Sequence, residues 1–72
     1  MTIKEKSDLI RNEIKQLKKT GIQYKVFWSI AGMNKTSFYN FTSGKTSLKL
    51  AEIKRLEDFL NDVFGIEITR LK

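Results

Sequence analysis

The stretch from Gln23 to Lys45, QYKVFWSIAGMNKTSFYNFTSGK, restricts the possible folds of this chain more than any other. Two short helical patterns meet at Gly32, where the chain must turn tightly. The first covers about Tyr24 to Ala31. The second begins near Asn34 and ends at about Phe41, and Gly44-Lys45 closes the unit. Asn34 is suited to cap the second helix, because its short side-chain oxygen can accept from a free backbone N–H. Phe38 and Phe41, three apart, fall on one face and anchor that helix to the body. Lys35, Thr36, Ser37, Tyr39 and Asn40 fall elsewhere, and none is acidic. A helix whose outer face is cationic, hydroxyl and amide suits phosphates and base edges.

Charge along the chain sharpens this reading. The net charge is +6, and no acid occurs between Glu13 and Glu52. Lys15, Lys18, Lys19, Lys25, Lys35, Lys45 and Lys49 all lie in that interval. Five of the eight acids follow it: Glu52, Glu57, Asp58, Asp62 and Glu67. A polyanion is attracted to the basic middle and turned away by the C-terminal third. The bland alternative is a lysine-rich surface that only keeps a small protein in solution.

The 72 residues make one domain, 1–72, and a chain of this length buries only about 60% of its unfolded surface. The absence of Cys excludes disulfides and cysteine metal sites, and suits a reducing cytoplasm. The absence of His removes the usual acid–base catalyst and the commonest metal ligand. No enzyme, cofactor or metal site is expected. No apolar run approaches the ~20 residues of a membrane span, and MTIKEKSDLI lacks a signal peptide's apolar core. Neither a membrane nor a secreted location is expected.

The flanks read as helices packed around the central unit. Thr2 to Glu5 fits a capping box at the start of a helix running to about Lys18. Ile10, Ile14 and Leu17 form its apolar stripe, with Leu9 and Ile3 nearby. Lys15, Lys18 and Lys19 suit the negative end of its dipole and are also placed for phosphate contact. In the second helix Val26, Phe27 and Ile30 are expected to supply core contacts, with Ile22 just before it; Trp28 is open to burial by the first and fourth helices, the favoured reading, or to partial exposure. Ser47 is a good cap for the fourth helix. Ile53, Leu56, Leu60 and Val63 make its stripe, joined by Leu48, Phe59 and Phe64, and Gly65 stops it. The tail 66–72, IEITRLK, alternates and is open to a short strand or a loose end. The apolar residues of this helix and tail exceed the needs of one small core, which suggests a homodimer surface.

The central stretch resembles the helix-turn-helix of the phage repressor and Cro family, the XRE-type regulators. That pattern has a turn Gly, an aliphatic, a small polar cap, large apolar residues six and nine after the Gly, and then Gly-Lys. Here they are Gly32, Met33, Asn34, Phe38, Phe41, Gly44 and Lys45, about a third of the chain. Two positions depart: Trp28 stands where the family usually has Ala, and Gln23 where it has a Thr or Ser cap. Ala31 is then the candidate small residue at the helix crossing. The resemblance implies an all-α domain of four helices that binds double-stranded DNA. It also implies residue roles. Lys35 and Thr36 occupy the turn that enters the major groove. Asn40 can pair bidentately with adenine or bond back to the loop. Tyr39 can lie against a thymine methyl or sugar, or cover the domain edge. Gln23, Tyr24, Ser37, Thr42, Ser43, Lys45 and Thr46 flank the DNA backbone. Tyr24 can instead pack its ring on the third helix. Gly44-Lys45-Thr46 is not a nucleotide-binding loop, because Tyr39 replaces that motif's first Gly and no strand precedes it.

Two functions of different class follow. The first is a Cro-like transcriptional repressor of a phage or mobile element, acting as a homodimer on an operator. The second is a helix-turn-helix protein that inhibits a host protein, as anti-defence proteins do, since fold alone does not fix function.

Overall fold

A computed structural model describes residues 2–68. It contains α1 (Ile3–Lys19), α2 (Tyr24–Ala31), α3 (Lys35–Thr42) and α4 (Leu50–Phe64). No strand occurs among the described residues, and 69–72 of the alternating tail lie outside them. The described part of the tail docks through Ile68, which is 1% exposed.

Local chemistry starts and stops these helices. Thr2 and Glu5 form the expected capping box, each side chain accepting from the other's backbone N–H at 3.1 and 3.2 Å. The Asn34 side chain accepts from the Ser37 N–H at 2.7 Å and opens α3. Gly32 closes α2 at φ 75°, a left-handed conformation that costs other residues energy. The Met33 N–H then reaches back to the Trp28 carbonyl, and Lys45 N–H does the same to Asn40 after Gly44.

The start of α4 differs from expectation. Ser47 does not cap it; the helix begins at Leu50, with Lys49 as its cap residue. Leu48 is drawn into the core at 3% exposure, and its N–H donates to the buried Ser7 hydroxyl at 2.9 Å. That anchor keeps the chain extended past Ser47. The Glu52 carboxylate then accepts from the Lys49 N–H at 2.8 Å, and lysine has no acceptor with which to reciprocate.

The core joins Ile10 and Ile14 of α1, Phe27 and Ala31 of α2, Phe38 and Phe41 of α3, and Ile53, Leu56 and Leu60 of α4. Several expected core residues sit further out, with Leu17, Ile22 and Phe59 only partly buried against the core. Trp28 is half-buried, and Val26, Ile30 and Val63 are exposed. On α2 the buried side is defined by Phe27 and Ala31, four apart, so Val26 and Ile30 turn away from it. On α4 the stripe steps four residues from Leu60 to Phe64, whose ring packs on Phe27 and Phe59 and leaves Val63 outside.

Two arginines tie the helices together across the sequence. Arg11 of α1 donates to the carbonyls of Phe41 at 2.6 Å and Thr46 at 3.0 Å, and its guanidinium lies over the Phe41 ring. Arg55 of α4 donates to the Ala31 carbonyl at 3.0 Å. Each places a cation at the carbonyl end of a short helix, where the dipole favours it.

Candidate nucleic-acid interface

The two helices of the central unit are held by their rings. Phe38 and Phe41, both fully buried, fix α3 from beneath. Tyr24 meets the Phe38 ring edge-on at 5.4 Å, and Trp28 meets it at 6.0 Å. Trp28 therefore packs on the side of α3, and the small Ala31, 1% exposed, takes the buried position on α2.

Fixing Phe38 inward determines what faces outward. Lys35, Thr36, Ser37 and Tyr39 are exposed, and Asn40 is half-buried. Thr36 and Asn40, four apart, share the side away from Phe38. Tyr39 lies on one flank of that side, beside Tyr24 and Trp28. Ser37 lies on the other, where it shares a groove of about 210 Å³ with Met33, Asn40, Thr46, Ser47, Lys49 and Glu52. The arrangement thus offers donors and acceptors in the centre, rings on one side and a polar groove on the other.

The expected backbone-contacting residues divide. Gln23 is exposed and makes no side-chain cap on α2. Lys45 and Thr46 are exposed at the end of the motif, and the Thr46 carbonyl is held by Arg11. Ser43 is exposed, but its hydroxyl donates to the Asn40 carbonyl at 3.0 Å. Thr42 does not belong to the surface: it is 5% exposed, and its hydroxyl donates to the Tyr39 carbonyl at 3.1 Å. As the last residue of α3, one turn past Phe38, it shares the inward side. Tyr24 realises the packing alternative, since its ring sits against Phe38 and Tyr39. Partial desolvation of its hydroxyl, and then the neighbouring Tyr39, hold its pKa above the usual 10.0. Its phenol therefore stays a neutral donor.

Charge is arranged unevenly around the site. Lys18 Nζ stands 5.3 Å from the centre of the Tyr24 ring, and Lys35 Nζ 5.9 Å from that of Tyr39. Glu52 is the acid that lines the α3 groove, and its carboxylate is spent on the start of α4. A second groove, of about 190 Å³, is lined by Glu57, Asp58, Asn61, Asp62, Glu67 and Ile68. It draws on α4 and the tail, with no residue of α2 or α3 in its lining.

Sequence reasoning missed Arg11, Lys18 as a ring partner, and the contribution of Ser47, Lys49 and Glu52 to the groove. Only Lys18 carried a signal, its place in the last turn of α1 just before Tyr24. No helix among the described residues is long and apolar enough to cross a membrane. No family model, curated protein or solved structure matches the chain.

Proposed function

We propose that this chain is a sequence-specific, duplex-DNA-binding transcriptional regulator, a Cro-like repressor of a phage or mobile element. The supporting observation is the outer face of α3. Lys35, Thr36, Ser37 and Asn40 offer donors and acceptors there, on a helix anchored by two fully buried phenylalanines and set in an acid-free stretch. An outward polar side chain costs the fold little, and its rigid base lowers the entropy lost on contact. Lys35, Thr36 and Asn40 read base edges, while Lys45 and Thr46 grip phosphates at the flanks and Tyr24 packs on α3. The protein works as a homodimer in the cytoplasm. The Cα atoms of the described residues span 29 Å, comparable to the ~34 Å between successive half-sites on one side of the duplex, so two copies side by side suit neighbouring half-sites. Repression comes from occupying the operator.

Selection from a pool of random duplexes identifies the site, and titration of variants at several salt concentrations tests the roles. Asn40→Ala should lose about 1–3 kcal/mol on the selected site and little on a scrambled one. Lys45→Ala should weaken both alike and lower the salt slope by about one. Equal losses on both duplexes for Asn40→Ala would remove it as a base reader. A wild type with no duplex preference and no salt dependence would point instead to a host protein as partner.

A further inference from the structure

Tyr39 is 44% exposed on α3, although the core beneath that helix is already filled by Phe38 and Phe41. Its ring is held in place. Tyr24 meets it edge-on at 5.8 Å, Trp28 lies tilted against it at 6.1 Å, and Lys35 Nζ approaches its ring. A side chain ordered before contact loses little rotamer freedom on binding. Along the helix it neighbours Lys35 and Thr36, four and three residues before it. The α3 surface therefore combines hydrogen-bonding groups with one fixed apolar plate at their edge.

The major groove of DNA carries one apolar mark, the C5-methyl group of thymine. We propose that Tyr39, braced by Tyr24 and Trp28, contacts a thymine methyl and thereby specifies an A·T pair at one position of each half-site. This rests on the duplex-DNA reading above and assigns Tyr39 a separate part in it. Hydrogen bonds from Asn40 or Lys35 leave that methyl unread, whereas a ring face excludes water from it.

The test uses the duplex selected by the wild-type protein, with its thymines replaced one at a time by deoxyuridine. Each replacement deletes one methyl and keeps every hydrogen-bonding group. One thymine per half-site should then cost the wild type about threefold to fivefold in affinity, as expected for one buried methyl. Tyr39→Phe should keep that discrimination. Tyr39→Ala should bind the thymine and uracil duplexes equally, with its far-UV circular dichroism unchanged. Indifference of the wild type to every replacement overturns the proposal, as does a selected half-site without thymine. It also fails if Tyr39→Ala discriminates as the wild type does, since another residue then reads the methyl. Salt-sensitive, sequence-selective binding without methyl discrimination rejects Tyr39 alone, whereas absence of duplex binding rejects the DNA reading with it.

Discussion

Arg11 reaches from α1 to two carbonyls on the far side of the motif, those of Phe41 and Thr46, and stacks on the Phe41 ring. Its side chain is only 15% exposed and is also paired to Asp8 at 2.7 Å. Removing it leaves the Phe41 carbonyl with the Gly44 N–H and frees the Thr46 carbonyl from its guanidinium donor. Arg11→Ala should lower stability by about 1.5–3 kcal/mol, seen as a lower urea midpoint at unchanged slope. Arg11→Lys should recover only part, because an ammonium cannot present the same planar fork of donors. Tyr24 makes a pH prediction. Its folded pKa lies above the unfolded one, so its stabilising contribution is complete below the unfolded value. It is lost as pH rises from the ordinary value near 10.0 through the raised folded one. Urea midpoints at about pH 9 and about pH 11 should therefore fall less in Tyr24→Phe than in wild type. An equal fall would show that the shift does not bear on folding.

At the level of elements, α2 and α3 are short, and their relative angle depends on the turn between them. Gly32 sits at φ 75°, and a Cβ added there would come within 2.9 Å of Arg55 Nη1. Gly44, at φ 88°, has open space around it. Both Gly→Ala changes incur the left-handed penalty of about 1–2 kcal/mol, but only Gly32→Ala also displaces Arg55 from the Ala31 carbonyl. Gly32→Ala should therefore be the more damaging in thermal or urea unfolding. Adding Arg55→Ala to each should cost less in the Gly32→Ala background, a coupling that a double-mutant cycle measures. Equal costs for the two glycines would show that Arg55 yields freely.

At the scale of the molecule, every helix keeps an exposed apolar side chain: Ile3 on α1, Val26 and Ile30 on α2, Tyr39 on α3, and on α4 the two most exposed. Leu50 and Val63 of α4 are 66% and 59% exposed. Such side chains support the proposed homodimer through α4, with a self-complementary two-fold contact. Val63→Lys should shift sedimentation toward monomer and weaken binding to a palindromic duplex more than to one half-site. Monomers of the wild type, free at high concentration and also on the palindrome, would count decisively against it. Under the proposed DNA reading, the acidic groove along α4 and the tail would turn that side away from a duplex and favour approach by the lysine-bearing side.

Local chemistry made four helices, the caps of α1 and α3 and the central turn legible from the chain alone. Asn34 finds its N–H three residues away, Thr2 and Glu5 find each other, and Gly32 adopts the one conformation for which it is suited. Phe38 and Phe41 pointed inward because helical spacing left them no other shared face, and the exposed face of α3 followed from that. Thr42 was misplaced because its hydroxyl suggested a phosphate, while its position in the helix turned it inward. Only the tertiary structure decided that Val26, Ile30 and Val63 face solvent, that Trp28 braces Tyr39, and that α4 starts at Leu50. These outcomes depend on partners far along the chain. Ser7 holds Leu48 from 41 residues away, and Arg11 holds Thr46 from 35. A cap or a stripe is written within one or two helical turns, whereas the choice among several apolar faces depends on which other helix arrives to cover it.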